Sequence, residues 1–154
     1  MTSPILTKDI PDEPAMAAFA AEIAALVHVG DTLLLSGQIG AGKSAFARGF
    51  IRAKLGRMED VPSPTFTLVQ TYETDDGDIW HCDLYRLTHP DEALELGLDE
   101  AFETAICLIE WPDRLGDAAP PDALELAFTA GPTSHEVIIS GSTAWQERLR
   151  VLDV

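Results

Sequence analysis

At 154 residues, 46% of them hydrophobic and 23% charged, the chain suits one ordinary globular domain and is too apolar for a disordered tail. No apolar run approaches the ~20 residues of a membrane span, the opening MTSPILTKDIPDEP lacks a secretion signal, and two cysteines make neither a disulfide framework nor a four-ligand zinc site. Ten Lys+Arg against 26 Asp+Glu leave a net charge of −16, without the overall basic surface of a direct nucleic-acid binder, and the expected compartment is a reducing cytoplasm.

Residues 12–28 predict a first helix, with Asp12 as N-cap, Pro14 in the first turn, Gly30 at the exit, and Met16, Phe19, Ile23 and Leu26 as one buried stripe. Residues 32–36 (TLLLS) form a short apolar run ending in glycine, the pattern of a strand buried on both faces. A second helix spans 43–55, with Phe46, Ala47, Phe50, Ile51 and Leu55 inward and Arg48 and Arg52 outward. Pro62 and Pro64 make 61–65 a loop. Residues 66–72 and 79–83 flank the acidic turn 75–78 as a β-hairpin, and short helices follow at 90–96 and 99–104. Residues 105–109 (AICLI) are a wholly apolar strand ending at Glu110, followed by a loop over 111–121. Strands at 124–129 and 136–140 and a helix at 143–149 complete the chain. Helices alternating with apolar strands predict a single α/β domain over 1–154, layered around a mostly parallel central sheet with an antiparallel hairpin.

The sharpest motif is Gly37-Gln38-Ile39-Gly40-Ala41-Gly42-Lys43-Ser44, a full match to G-x-x-x-x-G-K-[ST] between a buried strand and an amphipathic helix. Glycines let consecutive backbone N–H groups turn around a phosphate, and the helix that opens at Lys43 points its positive end at the same anion. Lys43 adds a point charge on the β- and γ-phosphates, and the Ser44 hydroxyl is placed to ligate Mg²⁺. The local amides and Lys43 outweigh the distant net charge. The expected fold is therefore the three-layer P-loop NTPase type. A Mg²⁺-nucleotide site also needs a carboxylate at the end of a neighbouring strand. Glu110 follows the purer apolar strand and is assigned to the metal, directly or through water; Asp83 is assigned to the metal or the attacking water. The guanine-reading N-K-x-D element is absent, so the expected nucleotides are ATP and ADP.

Residues 37–44 (GQIGAGKS), 63–68 (SPTFTL), 81–86 (HCDLYR), 95–100 (ELGLDE) and 109–114 (IEWPDR) resemble, in this order, the TsaE family of bacterial tRNA threonylcarbamoyladenosine biosynthesis ATPases. The start at 10–13 (IPDE) is similar too, so the resemblance covers residues 10 to about 114. It implies a small ATPase assisting the TsaD–TsaB complex, which modifies adenosine 37 of tRNAs reading ANN codons. It also implies that Lys43 and Ser44 serve the phosphates and Mg²⁺, Glu110 is the strand-end acid on the metal, and Asp83 is a second acid needed for hydrolysis. Thr65 is the hydroxyl of a switch loop sensing the γ-phosphate, and Glu13, Ala45 and Trp111 lie beside the nucleotide. The family usually carries an acidic-leucine pair where this chain has Gln38-Ile39, and Thr-Thr where it has Ser44-Ala45.

Other residues have plainer readings. His81 and Cys82 read as a packed strand histidine and a buried thiol, Cys107 as a small core residue, and Trp80 and Trp145 as core or cover. Tyr85 and Arg86 fit a partner surface or hairpin-end packing equally. Lys43, Arg48, Arg52, Lys54 and Arg57 concentrate half of the positive charge in one stretch, a solvated helix face or a surface meeting an acidic partner or tRNA at close range. A small-molecule P-loop kinase is the alternative enzyme class. It needs a basic lid, and after Glu59 only Arg86, Arg114, Arg148 and Arg150 could build one. A nucleotide-sensing adaptor without turnover is a third class. The −16 charge predicts that tRNA is reached only through the partner complex.

Overall fold

The computed structural model describes residues 3–38, 40–62, 64 and 68–152. Strand β1 (Ser3–Ile10) leads into helix α1 (Glu13–Ala24), strand β2 (Thr32–Gly37) and helix α2 (Lys43–Leu55). A hairpin of β3 (Val69–Thr74) and β4 (Gly77–Asp83) follows, then short helices α3 (Asp91–Glu95) and α4 (Leu98–Thr104) and strand β5 (Ile106–Glu110). A 3-10 stretch, Pro112–Ala118, precedes β6 (Leu124–Ala130), β7 (His135–Gly141), α5 (Thr143–Arg148) and a last 3-10 turn, Leu149–Leu152. No helix among the described residues is long and apolar enough to cross a membrane.

Local chemistry explains the element ends. The Asp12 carboxylate accepts the Ala15 N–H at 2.9 Å, relieving one orphan donor of the first turn of α1. The helix stops at Ala24, earlier than the apolar stripe suggests, and the Gly30 N–H is donated to the Ala105 carbonyl. The span of α2 is as expected, closed by Gly56 in the left-handed region. The hairpin turn is tighter than the acidic run, because Gly77 and Asp78 already belong to β4. Of the expected strand 66–72, Phe66 and Thr67 lie outside the described residues.

The sheet order is β1-β7-β6-β2-β5-β4-β3. Its four inner strands, β6, β2, β5 and β4, are mutually parallel, as two-sided burial of TLLLS and AICLI requires. Both margins are antiparallel: the hairpin on one side, and β7 with β1 on the other. The sequence reading has no strand at β1, so the antiparallel part of the sheet is larger than expected. The layered α/β architecture is otherwise the one expected.

Two cores flank the sheet. Leu33, Leu35, Ile79, Ile106 and Leu108 meet α1 and α2 around Phe19, Phe46, Phe50 and Phe128. Phe46 is the hub, with ring centroids 5.7 Å from Phe19 and 5.6 Å from Phe128. Leu34, Cys82, Cys107 and Ile109 face the other way, against Leu98 and Ala101 of α4. Burial pushes the Cys82 thiol well up and that of Cys107 to about 12, so both stay protonated and shielded. A disulfide-exchange dye at pH 8 is therefore expected to leave the native protein untouched and to label both thiols once denaturant is added. Prompt labelling of the folded protein would contradict this packing.

Candidate functional site

Alternation along the parallel strands sets the site. The row that faces α1 and α2 is apolar until the strands reach their carboxyl ends, where it turns polar. On β4 the row reads Ile79, His81, Asp83; on β5 it reads Ile106, Leu108, Glu110. Asp83 pairs in register with Glu110, and Glu110 with Leu35 of β2. Two acids on adjacent strands thus sit side by side at the edge where open α/β sheets bind ligands. Asp83, Glu110, His81 and Lys43 are all buried, 6%, 3%, 2% and 5% exposed respectively. Burial of four ionisable groups in one corner is costly unless they serve each other or a ligand.

The turn from β2 into α2 wraps this corner. Gly37 has φ +134°, and a Cβ there would stand 2.3 Å from the Phe128 carbonyl oxygen, so β2 can pair this closely with β6 only through glycine. Gly42, at φ +111°, is the N-cap of α2, and a Cβ there would approach the Met16 methyl to 2.7 Å. The backbone therefore comes in close, as an anion cradle of N–H groups requires.

Lys43 follows. Its Nζ is buried and no described atom accepts a hydrogen bond from it. Desolvation lowers its pKa below the usual lysine value, against the opposing pull of Glu110, Asp83 and Asp113. The ammonium lies 4.1 Å from the Trp111 ring centroid, a cation–π contact that offsets part of that cost. Trp111 itself holds a left-handed backbone, φ 60° and ψ 54°, unusual for a bulky residue. Its indole contacts both Lys43 and the tilted ring of Tyr85, whose centroid is 4.9 Å away.

Glu13, Gly40, Gly42, Lys43, Ser44, Ala45, Asp83, Glu110 and Trp111 line one cavity of about 780 Å³. Gly37, Gln38 and Ala41 do not line it; they shape the turn, with the Ala41 N–H donated to the Gln38 carbonyl at 3.1 Å. Ile39 and Thr65 lie outside the described residues. Glu13 holds Arg48 at 3.2 Å. Asp83 accepts the Tyr85 N–H at 3.0 Å. One wall was not foreseen: Gly131, Pro132, Thr133, Ser134 and His135, from the β6–β7 connection, line the cavity together with Ile10 to Glu13, and Ile10 pairs with His135 in the sheet. A second groove of about 570 Å³ between α1 and α2 shares Glu13 and Ala45 with it, and Arg48, Arg52, Arg57 and the exposed Met58 line it.

His81 is buried, as its packed-strand reading expects, but it does more than pack. Its Nε2 lies 2.7 Å from Glu110 Oε2. The shared face of 81 and 83 was legible from alternation; the partner was not, because 29 residues separate it in sequence.

The residues fit a nucleotide with its metal. The Lys43 ammonium, buried and without an acceptor among the described residues, suits an anion. Ser44, Asp83 and Glu110 supply hard oxygen donors, which suit Mg²⁺. Among the described residues no cluster of three His, Cys, Asp or Glu forms a protein-only cage.

Comparison with known proteins agrees with this architecture. The family model for "Threonylcarbamoyl adenosine biosynthesis protein TsaE" matches residues 10–137, running past the last sequence motif and into β7. The tRNA threonylcarbamoyladenosine biosynthesis protein TsaE of Rickettsia bellii is 42% identical over 108 residues, 70% of this chain and 75% of that protein. Its Haemophilus influenzae namesake is 40% identical over 124 residues, 77% of each chain. The crystal structure of Bacillus subtilis YdiB superposes with a TM-score of 0.78 at 30% identity, covering 97% of this chain and 93% of that one. The matched span holds every described residue of the cavity, and the chain belongs to the TsaE family.

Proposed function

We propose that this TsaE-family chain acts in tRNA threonylcarbamoyladenosine biosynthesis as a Mg²⁺-dependent ATPase of the cytoplasm, binding ATP and releasing ADP while it assists the TsaD–TsaB complex. The observation that carries the ATP reading is the buried Lys43 Nζ, without an acceptor among the described residues, in a cavity whose neighbouring strand ends present Asp83 and Glu110. In this reading the amides of residues 40–44 and the Lys43 ammonium hold the phosphates. Ser44 and Glu110 hold Mg²⁺, which when bound neutralises charge on the β- and γ-phosphates. Asp83 orients the attacking water and takes its proton, Thr65 senses the γ-phosphate, and Glu13 and Trp111 border the nucleotide. Excluding bulk water from this corner strengthens each of those contacts.

The phosphotransferase alternative gains no support from the two C-terminal arginines. Arg148 is tied to Asp31 and the Leu26 carbonyl, and Arg150 to Glu147, so neither is placed to close over a phosphate. Phosphate release measured with and without TsaD–TsaB tests the proposal: slow basal turnover, accelerated by the complex, is expected. Absence of hydrolysis in both arms would leave a nucleotide-sensing adaptor, and transfer to an added metabolite would restore the kinase.

The same reading predicts negligible tRNA binding by the isolated protein at physiological salt, since phosphate neutralisation dominates such affinity and the chain carries −16. Docking on the complex then falls to the basic groove between α1 and α2. Arg48 pairs with Glu13, and Arg52 and Arg57 both bond Glu59, so charge reversal at Arg48 and Arg52, two arginines of the groove held by different partners, is the test variant. It should weaken stimulation by the complex more than ATP binding. A tight, partner-independent gel shift, or full stimulation of the variant, would contradict these expectations.

A further inference from the structure

We infer that His81 is a positioning residue of the metal site, holding Glu110 so that one carboxylate oxygen is turned to Mg²⁺. This rests on the nucleotide reading of the cavity. His81 and Glu110 are both buried, and Nε2 meets Oε2 at 2.7 Å. An ionised carboxylate has no proton to give, so Nε2 carries the hydrogen. His81 Nδ1 is buried without a partner among the described residues and, in the neutral ring with Nε2–H, is a bare lone pair, cheaper to bury than an orphaned N–H.

The geometry gives the bond its effect. His81 stands on β4, two residues before Asp83 on the same face, and β4 is hydrogen-bonded to β5 in a register that places His81 beside Leu108. The imidazole thus reaches diagonally along the sheet to the next outward position, and the rigid strand pair sets where Oε2 sits. With Oε2 tethered, Oε1 is left for the cavity that Glu110 lines. A carboxylate free to rotate would have to be ordered each time the metal bound; one already tethered would not. The contact also separates two tasks: Glu110 has a bonded partner for its inner oxygen, while neighbouring Asp83 is anchored differently, through the Tyr85 N–H.

A pair of amide variants tests this. Gln at position 81 can place its NH₂ near the original Nε2, whereas Asn, one methylene shorter, keeps the polarity without the reach. ADP affinity is measured by titration calorimetry for the wild type, His81→Gln and His81→Asn, each with and without Mg²⁺, with thermal melting as the fold control. All three proteins should bind ADP alike without metal. The increase in affinity brought by Mg²⁺ should survive in His81→Gln within about threefold, and fall about 10–100-fold in His81→Asn, the range found for residues that orient metal ligands. Equal Mg²⁺ effects in the two variants would overturn the inference. So would a loss of metal-free binding in His81→Asn, which marks a merely structural role. Failure of the wild type to bind ADP, or to bind it better with Mg²⁺, would instead overturn the nucleotide reading itself.

Discussion

Lys43→Ala lowers ATP affinity by about 10–150-fold, equivalent to roughly 1.5–3 kcal/mol, while the fold stays intact. The substitution removes the charge-assisted contact at the foot of the cavity. It should not weaken the free protein, because Lys43 is buried without a hydrogen-bond acceptor and its desolvation is offset only partly by the Trp111 ring. Thermal melting should therefore show an alanine variant at least as stable as the parent, while calorimetry shows the binding loss. A pH dependence follows from the same burial. The Lys43 pKa is lowered from 10.5 in the free protein, and a bound anion would raise it again. Binding in alkaline solution must then take up a proton, so affinity declines as pH rises through the depressed pKa. Unchanged ATP binding by the alanine variant would remove the phosphate role.

Glu110→Gln should abolish the Mg²⁺ enhancement of nucleotide binding, since an amide oxygen is a far poorer ligand for a hard cation than a carboxylate. The fold should tolerate it, because the glutamine carbonyl still accepts from His81 Nε2. Asp83→Asn should act on the other quantity. It should leave ADP and ATP affinity within about threefold and reduce hydrolysis by about 10²–10⁴-fold, the usual worth of a positioned general base. Calorimetry with and without Mg²⁺, alongside partner-stimulated phosphate release, separates the two. If Asp83→Asn loses the metal effect and Glu110→Gln only turnover, the roles of these neighbouring acids are exchanged.

The inner architecture was legible because each piece carries its own local signal. TLLLS and AICLI are apolar on both faces, and α2 repeats its phenylalanines at helical spacing while glycines bound it at 42 and 56. β1 was missed because SPILTKDI lacks the alternation of a strand, running three apolar residues into three polar ones with a proline near its start, and its partner lies more than a hundred residues away. Three pieces of the site escaped for the same reason. The His81–Glu110 bond depends on the β4–β5 register, the wall at 131–135 depends on β6 lying beside β2, and the Lys43–Trp111 contact depends on the left-handed turn at 111. Composition and spacing name the chemical groups; long-range pairing decides which of them meet.

Because β1 pairs with β7, one margin of the sheet joins segments far apart in the chain. Ser3 lies opposite Gly141 and Ile10 opposite His135, so β1 is made long before the strand it pairs with. The parallel middle, with α1 and α2 packed on it, needs only shorter loops to close and can assemble while β1 is still unpaired. The cavity cannot be completed that early, since Ile10 to Glu13 and Gly131 to His135 come together only when β7 docks on β1. A nascent chain that has emerged only as far as β6 therefore exposes a solitary strand and lacks an enclosed site. Docking of β7 ends both conditions together, pairing β1 and bringing the cavity's two segments side by side in one event.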